Sequence, residues 1–249
     1  MDFASVLSRD SVLKARTIDA ALFDWSGTLV DDLDVVWRTN DQTLMSFGVP
    51  HQDIGTFRER FTLPWQSFYG LYGLSDAKIL EEVDARFWRF YRPLSEGIRP
   101  FPETLPLLTK LKSMGLKTAI VTQTKRGPLL EQIDRFGLAA LIDATVGAED
   151  AEELKPSPKP ILAALKKLDV GAGKVVFTGD MVEDVLAGNG AGVRVISIVR
   201  KGSYQTEERV KSGNPYRIAH SMTEVANIIM RILVLPTSPP DSGAGPASP

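Results

Sequence analysis

Short runs rich in Val, Ile and Phe alternate along this chain with stretches whose apolar residues recur every three or four positions. The runs lie at Ala20 to Phe23, Lys117 to Val121, Ala144 to Val146, Lys174 to Phe177, Val193 to Val199 and Tyr216 to Ala219. Unbroken apolar runs of this length suit strands covered on both faces, whereas a one-sided strand alternates apolar and polar residues. Between them, LLTKLKSM from Leu107 to Met114 has helical spacing and stops at Gly115. PKPILAALKKL, opening at Pro158, and the stretch from Asp184 to Gly192 are further helices, one started by prolines and one ended by glycine. Strand and helix in alternation predict right-handed βαβ units and a mostly parallel sheet. The fold class is α/β, a Rossmann-like three-layer core.

The region from about Asp31 to Ile98 breaks the rhythm. It holds Trp37, Trp65 and Trp88, offers no convincing strand, and shows helical periodicity in VVWRTNDQTLMSF and DAKILEEVDARFWRFY. It predicts an inserted all-helical cap over 31–97, between core segments at 1–30 and 98–235. Because it follows the first strand's carboxyl end, where α/β sheets place ligands, it is positioned to act as a lid. The final stretch, PTSPPDSGAGPASP, is rich in proline and nearly free of apolar side chains, which predicts a disordered tail over 236–249.

Charge and cysteine content narrow the chemistry. Among 249 residues, 29 Lys and Arg nearly balance 31 Asp and Glu, so no global field draws in nucleic acid or an anionic membrane. There is no Cys, which removes thiol nucleophiles, Cys metal sites and disulfides. No apolar run approaches the roughly 20 residues of a spanning helix. These features predict a soluble, unprocessed, cytoplasmic protein, monomer or homodimer, that binds neither nucleic acid nor membrane.

Four places carry candidate chemistry, each at the carboxyl end of a predicted strand or beside one. In LFDWSGTL the first strand ends at Asp24; in IVTQT another ends at Thr122. Lys155 stands before a proline-stiffened helix start in ELKPSPKP, and FTGDMVED supplies Asp180 and Asp184. Singly, each has a plain reading: a turn cap, a helix N-cap, a solvated lysine, and acids beside a helix N-terminus.

Taken in order, Asp24-Trp25-Ser26-Gly27-Thr28, Thr122, Lys155, and Asp180 with Asp184 resemble the haloacid dehalogenase-like hydrolase superfamily. The strings FPETLPLLTKLKSMGLKTAIVTQT and KPSPKPIL are most similar to its phosphoglycolate phosphatase-like branch. The resemblance implies that Asp24 is a nucleophile forming an aspartyl-phosphate on a small phosphorylated metabolite. It implies that Lys155 and Mg²⁺ offset the charge. The metal set would be Asp24, the Ser26 carbonyl and Asp180, with Asp184 orienting that shell or contributing through water. Thr122 and the amides after it would hold phosphoryl oxygens at a helix N-terminus.

Ser26 departs from the pattern, because related phosphatases carry an Asp there that protonates the leaving oxygen. A serine hydroxyl titrates too high for that work. Four readings follow: a phosphatase whose leaving group is activated or protonates itself, or a slower one that uses water held by Ser26; a carbon-phosphorus bond hydrolase; a carbon-halogen dehalogenase; or a weakly active member that binds a phospho-ligand or a protein. The second calls for a Schiff-base lysine, and the insertion's only one is Lys78, with Trp65 nearer the expected position. A metal-free dehalogenase would not need Asp180 and Asp184. Substrate contacts are expected from Arg58 and Arg60 in the insertion and from Gln123 and Lys125 after the second motif. His51 and His220 are placed with no catalytic partner.

Overall fold

A computed structural model describes residues 17–234. Its main sheet has six strands: β1 (Ala20–Phe23), β4 (Lys117–Val121), β5 (Ala144–Val146), β6 (Val175–Gly179), β7 (Arg194–Ile198) and β8 (Arg217–Ala219). Their order is β5-β4-β1-β6-β7-β8, and every neighbouring pair is parallel. The six apolar runs therefore became the six strands, with ends shifted by a residue or two.

Burial explains why β1 is central. All four of its residues are buried; Ala21 and Phe23 enter the hydrophobic cluster on one face, and Ala20 and Leu22 the cluster on the other. The first face is covered by α5 (Thr104–Ser113), α6 (Arg126–Arg135) and α10 (Met222–Val234), through Leu108, Leu129 and Ile229. The second is covered by α7 (Lys159–Leu168) and α8 (Val182–Gly190), through Ile161, Leu165 and Val185. This is the three-layer core that a sheet without a polar face requires. A short helix, α9 (Glu207–Lys211), precedes β8 and contributes Val210 to the second cluster.

The helical insertion comprises α1 (Leu33–Ser46), α2 (Ile54–Arg60), α3 (Trp65–Gly70) and α4 (Ala77–Ser95). Its own apolar cluster, with Leu44, Phe57, Phe68 and Val83, is closed by two core residues, Met181 and Tyr204. Two features differ from the sequence reading. The connections in and out of the insertion pair as a two-residue antiparallel ribbon, β2 (Val30–Asp31) with β3 (Arg99–Pro100). Helices α2 and α3 were not legible either, because seven and six residues are too few to display a period. The expected tail at 236–249 lies outside the described residues.

Glycine makes one of the tight core contacts possible. At Gly188 on α8 an added Cβ would lie 2.3 Å from Val195 Cγ2 on β7, whereas at Gly173 nothing stands within 4 Å. Gly188→Ala is expected to lose about 1–3 kcal/mol of stability in chemical denaturation, the usual cost of overpacking, while Gly173→Ala leaves the midpoint nearly unchanged.

Candidate active site

The chain turns at the carboxyl ends of β1, β4 and β6, and there the separate motifs meet. Asp24 follows β1 and its amide donates to Thr178 O at 2.8 Å, which fixes it against β6. Asp180 follows β6, and Asp184 lies in the first turn of α8, where its Oδ2 accepts from the Met181 amide at 3.1 Å. The close packing needs glycine: a Cβ on Gly179 would sit 2.4 Å from Asp184 Cγ, and one on Gly27, at φ +71°, 2.5 Å from Asp180 Oδ2.

Lys155 is 2% exposed and reaches between two of these acids. Its Nζ donates to Asp24 Oδ1 at 2.6 Å, to Asp184 Oδ1 at 2.6 Å and to Val121 O at 3.1 Å. Burial alone lowers its proton affinity, but Asp184 and Asp24 outweigh burial and hold the ammonium above the ordinary lysine value. One ammonium does not balance the acids. Burial pushes Asp24 up to about 7, with Lys155 opposing and Asp184 adding to the rise. Asp180 is raised well above its usual value by burial, then by Asp24 and Asp184.

Carboxylate oxygens of Asp24, Asp180 and Asp184 lie within 4.8 Å of one another. Asp180 Oδ1 accepts from Thr28 Oγ1 at 3.2 Å, but its Oδ2 is buried with no hydrogen-bond partner. A buried, partnerless carboxylate oxygen facing two other acids is the donor arrangement that a hard divalent cation satisfies.

Thr122 Oγ1 accepts from the Thr124 amide at 3.1 Å, a turn contact at the site's edge; the expected helix cap falls instead at Lys125, whose side chain makes no cap bond, because α6 starts only at Arg126. Gln123 Nε2 donates to Lys155 O at 2.8 Å, tying the second motif to the third. Above this floor is a cavity of about 170 Å³ lined also by Ser26, Tyr69, Trp88 and Tyr204. Lys125 lines it too, but its Nζ is bound to Asp84 Oδ2 at 2.7 Å and lies 5.0 Å from the Trp88 ring centroid.

The structure does not bring Arg58 or Arg60 to the cavity. Helix α2 turns Phe57 into the insertion's core, so Arg58 Nε donates to Ser203 O at 2.6 Å and Arg60 stacks over Tyr72. Lys78 is exposed at the start of α4 and is not among the lining residues, although Trp65 is. His51 pairs with Asp41 and His220 with Glu207, both away from the lining.

Sequence reasoning missed Asp32. It stands at the N-cap of α1, where an Asp ordinarily bonds the helix amides, yet it makes no such bond. Its side chain turns back instead: Oδ2 accepts from Ser26 Oγ, and Oδ1 accepts from the Gly27 amide and the Tyr204 hydroxyl, each at 3.1 Å. Burial raises its carboxyl to about 6, with the three donors opposing the rise. The Asp31-Asp32 pair at a helix start was the available signal, and it reads as a cap until the tertiary contact is seen.

This arrangement matches known proteins. Residues 21–198 fit the haloacid dehalogenase-like hydrolase family. The chain belongs to that family. A phosphoglycolate phosphatase of Rhodospirillum rubrum is 29% identical over 187 residues, 71% of this chain and 78% of that protein. Pyrophosphatase PpaX of Bacillus mycoides is 25% identical over 225 residues, 86% of this chain and 98% of that one. Among solved structures, a predicted phosphatase from Clostridium acetobutylicum superposes with a TM-score of 0.78 at 19% identity, covering 86% and 99% of the two chains. The chain is thus an enzyme, a hydrolase of the phosphoglycolate phosphatase-like branch. No helix among the described residues is long and apolar enough to cross a membrane.

The crowded acids set a pH dependence. Asp24 and Asp32 both titrate higher folded than unfolded, so each favours the folded state while protonated. That contribution is full below about pH 4 and is lost as pH rises through about 6 and 7. With chelator present, Tm is expected to fall by several degrees from about pH 5 to about pH 8. Asp24→Asn flattens the fall, as read by thermal scanning across buffers.

Proposed function

We propose that this protein is a Mg²⁺-dependent phosphatase that hydrolyses a small phosphorylated metabolite through an aspartyl-phosphate on Asp24. The observation that carries the reading is the buried Lys155 ammonium, 2.6 Å from both Asp24 and Asp184, at the floor of a cavity beside a partnerless Asp180 oxygen. An anionic nucleophile meets an anionic substrate only where fixed positive charge offsets their repulsion.

In the first step a carboxylate oxygen of Asp24 bonds to phosphorus as the bond to the leaving oxygen breaks, and that oxygen keeps the electron pair. Water then adds at phosphorus, releasing orthophosphate and restoring the Asp24 carboxylate. Lys155 opposes the burial that disfavours the Asp24 carboxylate and holds it at the cavity floor, and Thr122 with the amides after it receives phosphoryl oxygens at the start of α6. Asp24, Asp180 and Asp184 are the side chains that would hold the ion, with the Ser26 carbonyl as the family resemblance implies. Bound Mg²⁺ would neutralise charge on the phosphoryl oxygens. The insertion at 31–97 is read as a cap on the core segments 1–30 and 98–235, since its aromatic side forms the cavity's roof.

Asp24→Asn is expected to lower kcat for a hydrolysed phosphoester by at least about a thousandfold, the scale seen when a nucleophile is removed, with folding preserved by circular dichroism. Mg²⁺ should raise the wild-type Tm more at about pH 8 than at about pH 5, because the ligands must be deprotonated to bind. Equal Tm shifts in wild type and in Asp180→Asn would remove Asp180 from the metal set.

A further inference from the structure

Two separate features of the cavity constrain the group from which phosphate is released. The first lies two residues after the nucleophile. Ser26 lines the cavity, and its one proton is committed to Asp32, whose other oxygen already accepts from Gly27 and Tyr204. A carboxylate only accepts, so Ser26 presents lone pairs rather than a proton to the cavity. The neighbouring charged donors are engaged as well: Lys155 Nζ makes three hydrogen bonds, and Lys125 Nζ donates to the carboxylate of Asp84, which also accepts from Trp88 Nε1. An alkoxide leaving group, with an alcohol pKa near the roughly 16 of water, depends on a proton from the enzyme. A phenolic oxygen, near pKa 10 or about that, departs as the anion.

The second feature is the wall. Away from the acidic floor it is built from Phe61, Trp65, Tyr69, Phe87 and Trp88. Its two cations, Lys155 and Lys125, are both ion-paired within the protein. A second anion on the substrate, such as the carboxylate of 2-phosphoglycolate or the other phosphate of pyrophosphate, would lose water against these rings and find no free cation. An aromatic ring would bury its faces against edges and faces of its own kind. The scale suits a single ring, since a cavity of about 150 Å³ accepts benzene in another protein and this one measures about 170 Å³ with its acidic floor included.

We propose that the substrate is an aryl phosphate monoester, with an uncharged aromatic alcohol as its leaving group. This rests on the phosphatase reading above and adds what is attached to the phosphate. The Asp24–phosphorus bond forms while the bond from phosphorus to the aryl oxygen breaks; the electron pair stays on that oxygen, and the phenolate takes its proton from solvent. Water then cleaves the aspartyl-phosphate to orthophosphate.

The test compares kcat/KM, with Mg²⁺ present, for phenyl phosphate, benzyl phosphate, 2-phosphoglycolate and pyrophosphate. Phenyl and benzyl phosphate share an apolar ring and differ in leaving-group acidity. Phenyl phosphate is expected to lead benzyl phosphate by about a hundredfold or more, the usual scale of general acid catalysis, and to lead both charged substrates by at least about tenfold. The exchange Ser26→Asp with Asp32→Ser returns a carboxyl to the cavity without placing two acids in contact, and should raise benzyl phosphate turnover while moving phenyl phosphate much less. Equal rates for phenyl and benzyl phosphate, with Asp32→Asn slowing benzyl selectively, would show a proton relayed through Ser26 and overturn the proposal. Preference for 2-phosphoglycolate or pyrophosphate would overturn it while leaving the phosphatase reading intact. Absence of turnover with all four would overturn both.

Discussion

The site depends on one buried ammonium held between two carboxylates. Lys155 is withdrawn from water, and a desolvated cation is tolerable only with hydrogen-bonded anions around it. Asp24 and Asp184 meet that need from opposite sides, one at the end of the central strand and one at the start of a helix. Their positions follow from the sheet, because β1 and β6 are neighbours in parallel register and bring Asp24 beside Asp180. The acids outnumber the cation, and burial holds Asp24 and Asp180 above their usual titration range. The floor is therefore short of positive charge, which is the condition that metal and a phosphoryl group each exploit.

A second set of contacts joins that floor to the helical insertion. Asp32 is the first residue after the linking ribbon, and it binds Ser26, Gly27 and Tyr204 at once. On the other side, Trp25 Nε1 donates to Gln132 Oε1 at 2.7 Å, and Gln132 Nε2 donates to the Tyr91 hydroxyl at 2.9 Å on α4. The nucleophile loop is thus flanked by two polar chains that end in the insertion. The Trp25–Gln132–Tyr91 chain is buried and the Asp32 chain partly so, and an unmade bond there costs more than it does in water. Any movement of the insertion relative to the core has to pass through these contacts, the ribbon, and the shared packing of Met181 and Tyr204.

Much of this was legible before any coordinates. The six strands, three of the core helices (α5, α7 and α8) and the helical character of the insertion follow from apolar periodicity, because a strand buried on both faces leaves an unbroken run and an amphipathic helix leaves a stripe. Asp24, Thr122, Asp180 and Asp184 sit at strand ends or helix starts that the same pattern marks, but they and Lys155 were singled out by the order of motifs that resembles the family. Arg58 and Arg60 were placed by side-chain type alone, and the packing of Phe57 carried them away from the cavity.

The amino-acid order by itself determined the sheet and its layers, which follow from local periodicity, and its ordered motifs carried the family resemblance that points to the acids and the lysine. Tertiary structure alone decided what Ser26 does. Its partner Asp32 reads as an ordinary helix cap, and only the fold of the ribbon turns that carboxylate back onto the nucleophile loop. It likewise decided that Lys125 is paired with Asp84, 41 residues earlier, and that the roof is aromatic. Contacts between distant segments depend on how helices dock, and docking is set by the summed packing of many side chains rather than by any short stretch.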